Sequence, residues 1–149
     1  CNHNLISQAC LTNQQFYQYI TNITIKLLIQ QGIMPGHAKV ALFGMSFKPN
    51  VKDTRHSLAI NLYHSLQQLG VDVIACCPLS HLSIPDLNWS DFESLPACNA
   101  IILCQAHKEF LDLGTTELNH KITKNGIIID IPNAFSTKKF RKDLLYFTL

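Results

Sequence analysis

Apolar side chains recur at spacings of three and four through the N-terminal stretch of the chain. Leu5, Ala9, Phe16, Ile20, Ile23, Leu27 and Leu28 predict an amphipathic helix from Leu5 to Gln31. Gly32 ends it and Pro35-Gly36 makes a turn. The period then changes. Val40-Ala41-Leu42-Phe43 is a continuous apolar run closed by Gly44, the pattern of a strand covered on both faces. Asp53 or Thr54 can cap a helix running to about Leu69, with Leu58, Leu62, Leu66 and Leu69 inward and Gly70 as its stop. Val71 to Ala75 reads as a second strand, broken by Pro78. Residues 79–96 are loop-rich, with a helical turn around 91–95. Ala100 to Cys104 and Ile127 to Ile131 read as the third and fourth strands, with short helices at His107–Leu113 and Thr115–Thr123 between them. Leu144 to Thr148 reads as a closing strand. Strands alternating with helices imply parallel units with right-handed crossovers. The expected fold is therefore α/β, a Rossmann-like open parallel sheet of about five strands preceded by a long helix. The expected division is residues 1–36, helix and turn, and residues 37–149, the α/β domain.

Composition narrows the function classes. At 149 residues and 47% hydrophobic, the chain can bury one sizeable core. Only 15% of residues are charged, where roughly a quarter is usual, so apolar surface is available for a partner or for another part of the same polypeptide. A net charge of +2 without a basic stripe argues against a nucleic-acid partner. Lys138, Lys139, Arg141 and Lys142 form a small basic cluster, read as a solvated face. No apolar stretch approaches a membrane-spanning length, and no signal peptide is evident, so no membrane role is expected. Six cysteines form no C-x-x-C pair and accompany no His-x-x-x-His, which argues against zinc. Cys76 and Cys104 close expected core strands, where a reduced thiol acts as a small hydrophobe; a cytoplasmic location follows.

The chemistry concentrates in Lys39–Ser57, KVALFGMSFKPNVKDTRHS. A strand that ends in glycine and feeds a helix through polar residues is how α/β sheets build pockets at strand carboxyl ends. Lys48 offers an ammonium there, and the next helix start offers backbone N–H groups, so the expected guest is anionic and phosphate-bearing. The dinucleotide fingerprint, however, needs three glycines; here Gly44 stands alone, and the second strand ends in Cys76-Cys77 where a ribose-binding acid belongs. NAD is not expected in this domain.

Phe47-Lys48-Pro49-Asn50 with Asp53, Arg55 and Ser57 resembles the F-K-P-N-x-x-D-x-R-x-S segment of the nucleotide-sugar 6-dehydrogenases, which opens their nucleotide-binding C-terminal domain. Asn13 in the lead-in helix resembles the A-x-x-x-N of that family's central dimerisation helix. Cys104–Phe110 resembles a T-x-H-x-E-F segment, and Ile127–Asn133 a strand ending in D-x-R-N. The resemblance spans nearly the whole chain. It implies a UDP-sugar ligand, a homodimer formed through the N-terminal helix or another domain, and a place in polysaccharide biosynthesis. It also implies NAD as the cofactor of the intact enzyme, bound with the catalytic cysteine on the N-terminal side. Cys1 lacks the neighbours of that cysteine, so no catalytic residue is assigned, and the chain reads as a fragment, a split gene product or a truncated copy that does not act alone.

By the resemblance, Lys48 reaches the substrate near sugar and phosphates and Phe47 lines the same pocket; a solvated surface lysine is the competing reading. Arg55 either grips a phosphate or carboxylate or pairs with Asp53 to order the loop. Asn50 and Ser57 read as turn and cap residues. Asp130 ends a core strand at the carboxyl edge, where it either binds ligand or orders the following loop. His107 could approach a ligand or act as an acid–base group, with a capping or packing role favoured. Pro132 replaces the family's nucleotide-holding arginine, Cys76-Cys77-Pro78 replaces its Y-D-P, and Leu58 replaces a proline. Two competing classes follow: a diverged copy that keeps the fold without the ligand, and an oligomerisation module built on the lead-in helix.

Overall fold

The computed structural model describes residues 3–51, 53–55, 57–79, 84, 86–135 and 139–149, with backbone alone for 3–11. Cys1, Lys138 and the side chains of Leu5, Ala9, Cys10 and other residues up to 11 lie outside that description. The elements are helix α1 (His3–Gln30), a 3-10 turn (Pro35–His37), β1 (Lys39–Phe43), α2 (Leu58–Gln68), β2 (Asp72–Cys76), β3 (Cys98–Leu103), α3 (Lys108–His120), β4 (Ile122–Asp130) and β5 (Leu145–Thr148). The five strands form one parallel sheet in the order β2-β1-β3-β4-β5. The expected Rossmann-like open sheet with a preceding long helix is what the chain adopts.

Strict alternation within the apolar strands feeds two cores at once, because successive side chains leave opposite faces of a sheet. Val40, Leu42, Ala100, Ile102, Ile127 and Ile129 face the layer of α1 and α2. Ala41, Phe43, Ile101, Leu103 and Ile128 face the layer containing Phe110 and Leu118 of α3. That double burial explains why these strands read as unbroken hydrophobic runs. The free edge of β2 is covered locally: the Ala75 N–H donates to the Asn88 carbonyl at 2.8 Å, and the Ser90 N–H to the Ala75 carbonyl at 3.0 Å.

The lead-in helix lies on this sheet domain over its C-terminal half. Ile20 and Leu28 are fully buried and Leu27 nearly so, in the same core as Leu62, Tyr63 and Leu66 of α2. The hydroxyls of Thr21 and Ser65 lie 3.1 Å apart, and Gln31 Nε2 donates to the Asn125 carbonyl at 2.9 Å, tying the end of α1 to β4.

Local boundaries depart from the sequence pattern in three places. Helix α2 begins at Leu58, not at Asp53 or Thr54, because the Asp53 carboxylate accepts from the Arg55 N–H and guanidinium and turns the chain before the helix. The inward face of α2 is Ala59, Leu62, Tyr63 and Leu66; Leu69 lies past the helix end and is 52% exposed. The two helices expected between β3 and β4 form one segment broken at Gly114 (φ 71°), and the chain enters β4 at Ile122 rather than at Ile127. Pairing of Cys98 with Ile122 recruits the earlier residues into the ladder, across an irregularity between Cys98 and Ala100.

Two substitutions test this architecture by urea denaturation. Leu28→Ala, at a fully buried position, is expected to cost about 2–5 kcal/mol, while Ile29→Ala, 60% exposed one residue on, stays within about 0.5 kcal/mol. Gly44 has φ +88°, and a Cβ there would meet the Gln105 Cβ at 2.7 Å. Gly44→Ala is therefore expected to lower stability by about 1–3 kcal/mol, and a variant as stable as the parent would contradict this close approach of the β1 and β3 loops.

Candidate functional site

The carboxyl end of β1 is where the strand order reverses. The chain goes from β1 through α2 to β2 on one side, while β3 pairs on the other. The β1 loop leads to α2 on one face of the sheet and the β3 loop to α3 on the other, the kind of switch point at which open α/β sheets place ligands. The β1 loop runs from Gly44 to Ser57, and its first residues are held from both sides. The Gly44 N–H donates to the Cys76 carbonyl of β2 at 2.9 Å, and the Cys104 N–H donates to the Phe43 carbonyl at 2.8 Å. Met45 and Ser46 are buried beneath the loop. Ser46 and Pro49 occupy the positions at which a dinucleotide turn has its second and third glycines, and the Ser46 hydroxyl is spent on the Lys48 carbonyl at 2.7 Å. These residues do not fit a dinucleotide pyrophosphate.

Residues 47–51 of the loop face solvent. Phe47 is 42% exposed and Lys48 is exposed, with its Nζ 5.7 Å from the Phe47 ring centroid. Gln105 Nε2 donates to the Phe47 carbonyl at 2.9 Å. Asn50 adopts φ 60°, in the left-handed region that asparagine tolerates. Its Oδ1 accepts from the Lys108 N–H at 3.0 Å, at the first turn of α3. Arg55 forms a two-point contact with Asp53, Nε to Oδ1 at 3.0 Å and Nη2 to Oδ2 at 2.8 Å, which holds the guanidinium pKa up. Arg55 remains largely exposed in that pair. Ser57 sits at the N-cap position of α2, but its hydroxyl donates to the Met45 carbonyl at 2.8 Å and does not cap the helix. Among the described residues the N-cap side chain leaves the first N–H groups of α2 uncapped.

His107 lies under this loop. It occupies the N-cap position of α3, fully buried, and its side chain makes no cap. Nδ1 accepts from the Asn50 N–H at 2.8 Å; Nε2 lies 3.2 Å from Ser46 Oγ and 3.8 Å from Cys77 Sγ. Burial lowers its pKa, opposed by the charge of Glu109. The histidine is thus a packed, fully hydrogen-bonded link between α3 and the β1 loop. The Ser46–His107, Gln105–Phe47 and Asn50–Lys108 contacts had no signal in the sequence, because their partners lie 58 to 61 positions apart along the chain.

Asp130 stands apart from that loop, at the end of β4 with β3 intervening. It is fully buried. Its two oxygens accept from the Ala134 N–H at 3.0 Å, the Phe135 N–H at 2.7 Å and the Tyr146 hydroxyl at 2.6 Å. Burial and the neighbouring Asp130 hold the Tyr146 phenol pKa well above its ordinary value. Phe47, Lys48 and Arg55 thus share one loop, whereas Asp130 organises the turn from β4 toward β5. A separate cleft of about 300 Å³ opens at the carboxyl end of β2, lined by Cys76–Pro78, Asp91–Glu93, Glu109, Phe110 and Leu113. None of the four expected site residues lines it. Burial pushes the thiol pKa of Cys76 and Cys104 up to about 12 and that of Cys98 up to about 11. These are inert thiols in free cysteines. Among the described residues no group of His, Cys, Asp and Glu is placed to hold a metal, and no helix is long and apolar enough to cross a membrane.

Comparison with known proteins agrees with this geometry. Residues 41–137 match the model of the UDP-glucose/GDP-mannose dehydrogenase family, UDP binding domain. A UDP-N-acetyl-D-mannosamine dehydrogenase of Methanococcus aeolicus is 29% identical over 138 residues, covering 91% of this chain and 31% of that protein. Two solved structures share the fold across 99% of this chain and 34% of their own. They are a UDP-D-ManNAc dehydrogenase from Pyrococcus horikoshii (TM-score 0.76, 21% identity) and the UDP-N-acetyl-mannosamine dehydrogenase Cap5O from Staphylococcus aureus (TM-score 0.75, 23% identity). The chain thus spans about a third of the length of the relatives it matches. The match begins inside β1 and runs past Asp130, so it includes the Lys48 loop, His107 and the β4 turn; the chain belongs to the UDP-glucose/GDP-mannose dehydrogenase family, within its UDP-binding domain.

Proposed function

We propose that this chain is the nucleotide-sugar-holding part of an NAD-dependent UDP-sugar 6-dehydrogenase, of the UDP-glucose or UDP-N-acetylmannosamine type. The observation that carries the reading is the Lys48 loop, fastened to the sheet's switch point while its cation and Phe47 stay open to solvent. A pyrophosphate beside that loop meets the Lys48 ammonium and the uncapped start of α2, both of which favour an anion. Phe47 offers an apolar surface alongside. Arg55, pre-oriented by Asp53, adds a second cation whose net contribution is reduced by its own partner. Asp130 supports binding through the β4 turn.

In this reading NAD binds in another part of the enzyme, where the hydroxymethyl carbon of the sugar is oxidised. The residues of this chain bind, orient and neutralise the nucleotide. A cytoplasmic setting and a place in polysaccharide biosynthesis accompany the reading. The competing reading, a copy that keeps the fold without the ligand, draws on Pro132 standing where the resembling family has arginine. The division into a lead-in helix (1–36) and a binding domain (37–149) is a division of roles, with α1 offering a second copy of the chain its outer face. Along that face Ile25, Ile29 and Leu69 border a groove of about 600 Å³, and Tyr19 is also exposed.

Thermal melting separates the two readings. UDP or a UDP-sugar at a hundredfold its dissociation constant is expected to add about 2.7 kcal/mol of stability. GDP should shift the melt less, and Lys48→Ala should weaken UDP binding at least about tenfold, the loss of one charge-assisted contact. No shift with any UDP compound would favour the diverged copy. Sedimentation tests the helix: the parent is expected to associate as concentration rises, and Ile29→Lys to remain monomeric. Equal behaviour of parent and variant would remove α1 from the interface.

A further inference from the structure

The polar contacts beneath the β1 loop fix the protonation state of one side chain. The Asn50 backbone N–H can only donate, so the His107 Nδ1 that receives it carries no proton. A neutral imidazole then holds its proton on Nε2, which faces Ser46 Oγ at 3.2 Å and Cys77 Sγ at 3.8 Å. Ser46 in turn donates its own hydroxyl proton to the Lys48 carbonyl at 2.7 Å. One imidazole therefore secures two points of the loop, Asn50 directly and Lys48 through Ser46, and both connections run in a single direction of donation.

We infer that His107 is a positioning residue that holds the Lys48 loop in its ligand-binding form only as the neutral imidazole with its proton on Nε2. The inference rests on the proposed function of that loop. Protonating Nδ1 sets two donors against each other, the imidazolium N–H and the Asn50 N–H, across a direct 2.8 Å contact on a buried ring. The loop must then release Asn50, and with it the anchor on the Lys108 N–H at the start of α3.

The groups facing His107 come from three elements. From the β1 loop come Ser46, the Asn50 N–H and, through Ser46, the Lys48 carbonyl; from the end of β2 comes the Cys77 thiol; from α3 come Glu109 and the Phe110 ring at 5.8 Å. Burial pushes the Cys77 thiol pKa up, so it stays uncharged. Glu109 is the one charged group among these that favours the imidazolium, and burial outweighs it. With the folded pKa below the ordinary 6.5, the unfolded chain takes up the proton first. The contribution of His107 is thus complete above 6.5 and is lost as the pH falls from there through the folded value.

Calorimetric titration of the whole chain with UDP-glucose tests this, because its pyrophosphate keeps one charge state over the range used. Affinity is expected to stay level from about pH 7.5 to the ordinary 6.5 and then to weaken toward about pH 5, by up to about tenfold for each pH unit below the folded value, as one proton enters a site that must exclude it. His107→Asn keeps an oxygen acceptor for the Asn50 N–H and cannot gain a proton, so its affinity is expected to stay flat. Imidazole nitrogen NMR of the wild type should show Nδ1 unprotonated at neutral pH, with a titration midpoint that coincides with the loss of affinity. That coincidence decides the matter even if His107→Asn fails to fold. An equal pH slope in both proteins, a protonated Nδ1 at neutral pH, or a midpoint that does not coincide overturns the inference while leaving nucleotide binding intact. Where UDP-glucose does not bind, UDP-N-acetylmannosamine takes its place in the same titration; failure of both at both pH values overturns the proposed function, and the link between His107 and affinity with it.

Discussion

The carbonyl of Phe43 sits where β1 ends and two loops part, and the rest of the site depends on how that point is tied. It accepts from the Cys104 N–H at 2.8 Å and from the Gln105 N–H at 3.3 Å, while the next residue, Gly44, donates across to β2. Three strand ends are thus fastened within two residues. Gly44 lies against Gln105 closely enough to exclude a Cβ. With that junction closed, the β1 loop cannot spread back over the sheet; it projects outward, carrying Phe47 and Lys48 toward solvent. A parallel sheet supplies such a junction wherever its strand order reverses, and the polar contacts below the loop decide what is presented there.

Those contacts form one connected set. His107, Ser46, Asn50 and Gln105 are drawn from two segments that never meet in sequence, yet each satisfies a backbone group of the other. The buried members of the set, His107 and Ser46, rigidify the site because leaving a buried polar group unpaired costs about 1–3 kcal/mol. The described residues contain no buried side-chain nitrogen or oxygen without a partner. Asp130 shows the same economy at β4, where one carboxylate closes a turn by accepting from two backbone N–H groups and a phenol. Loop order at both strand ends is therefore built from side chains, whereas the strands beneath are held by apolar burial on two faces.

Much of the architecture is legible in the amino-acid sequence. The helix–strand alternation identified a parallel sheet, because strands buried on both faces need unbroken apolar runs such as Val40–Phe43 and Ile127–Ile131. Gly44 after the first run, then Lys48 and the motif around it, located the loop and its charge. The pairing of Arg55 with Asp53 was also foreseeable, since two residues of separation leave the guanidinium within reach. Boundaries were less legible. Ile122–Gly126 looked helical or irregular and became strand because Cys98 was there to pair with Ile122, and Asp53 was drawn from capping by its bond to Arg55.

Periodicity and turn chemistry, both local properties, specify the class of fold, the loop that follows β1 and the sign of charge it offers. Tertiary structure alone decided that His107 packs under that loop, that Ser57 turns its hydroxyl to Met45 instead of the helix, and that Asp130 faces inward to the β4–β5 connection. The reason is the same in each case. A polar side chain chooses among several possible partners, and the winning one is set by which distant backbone group the sheet brings within about 3 Å of it.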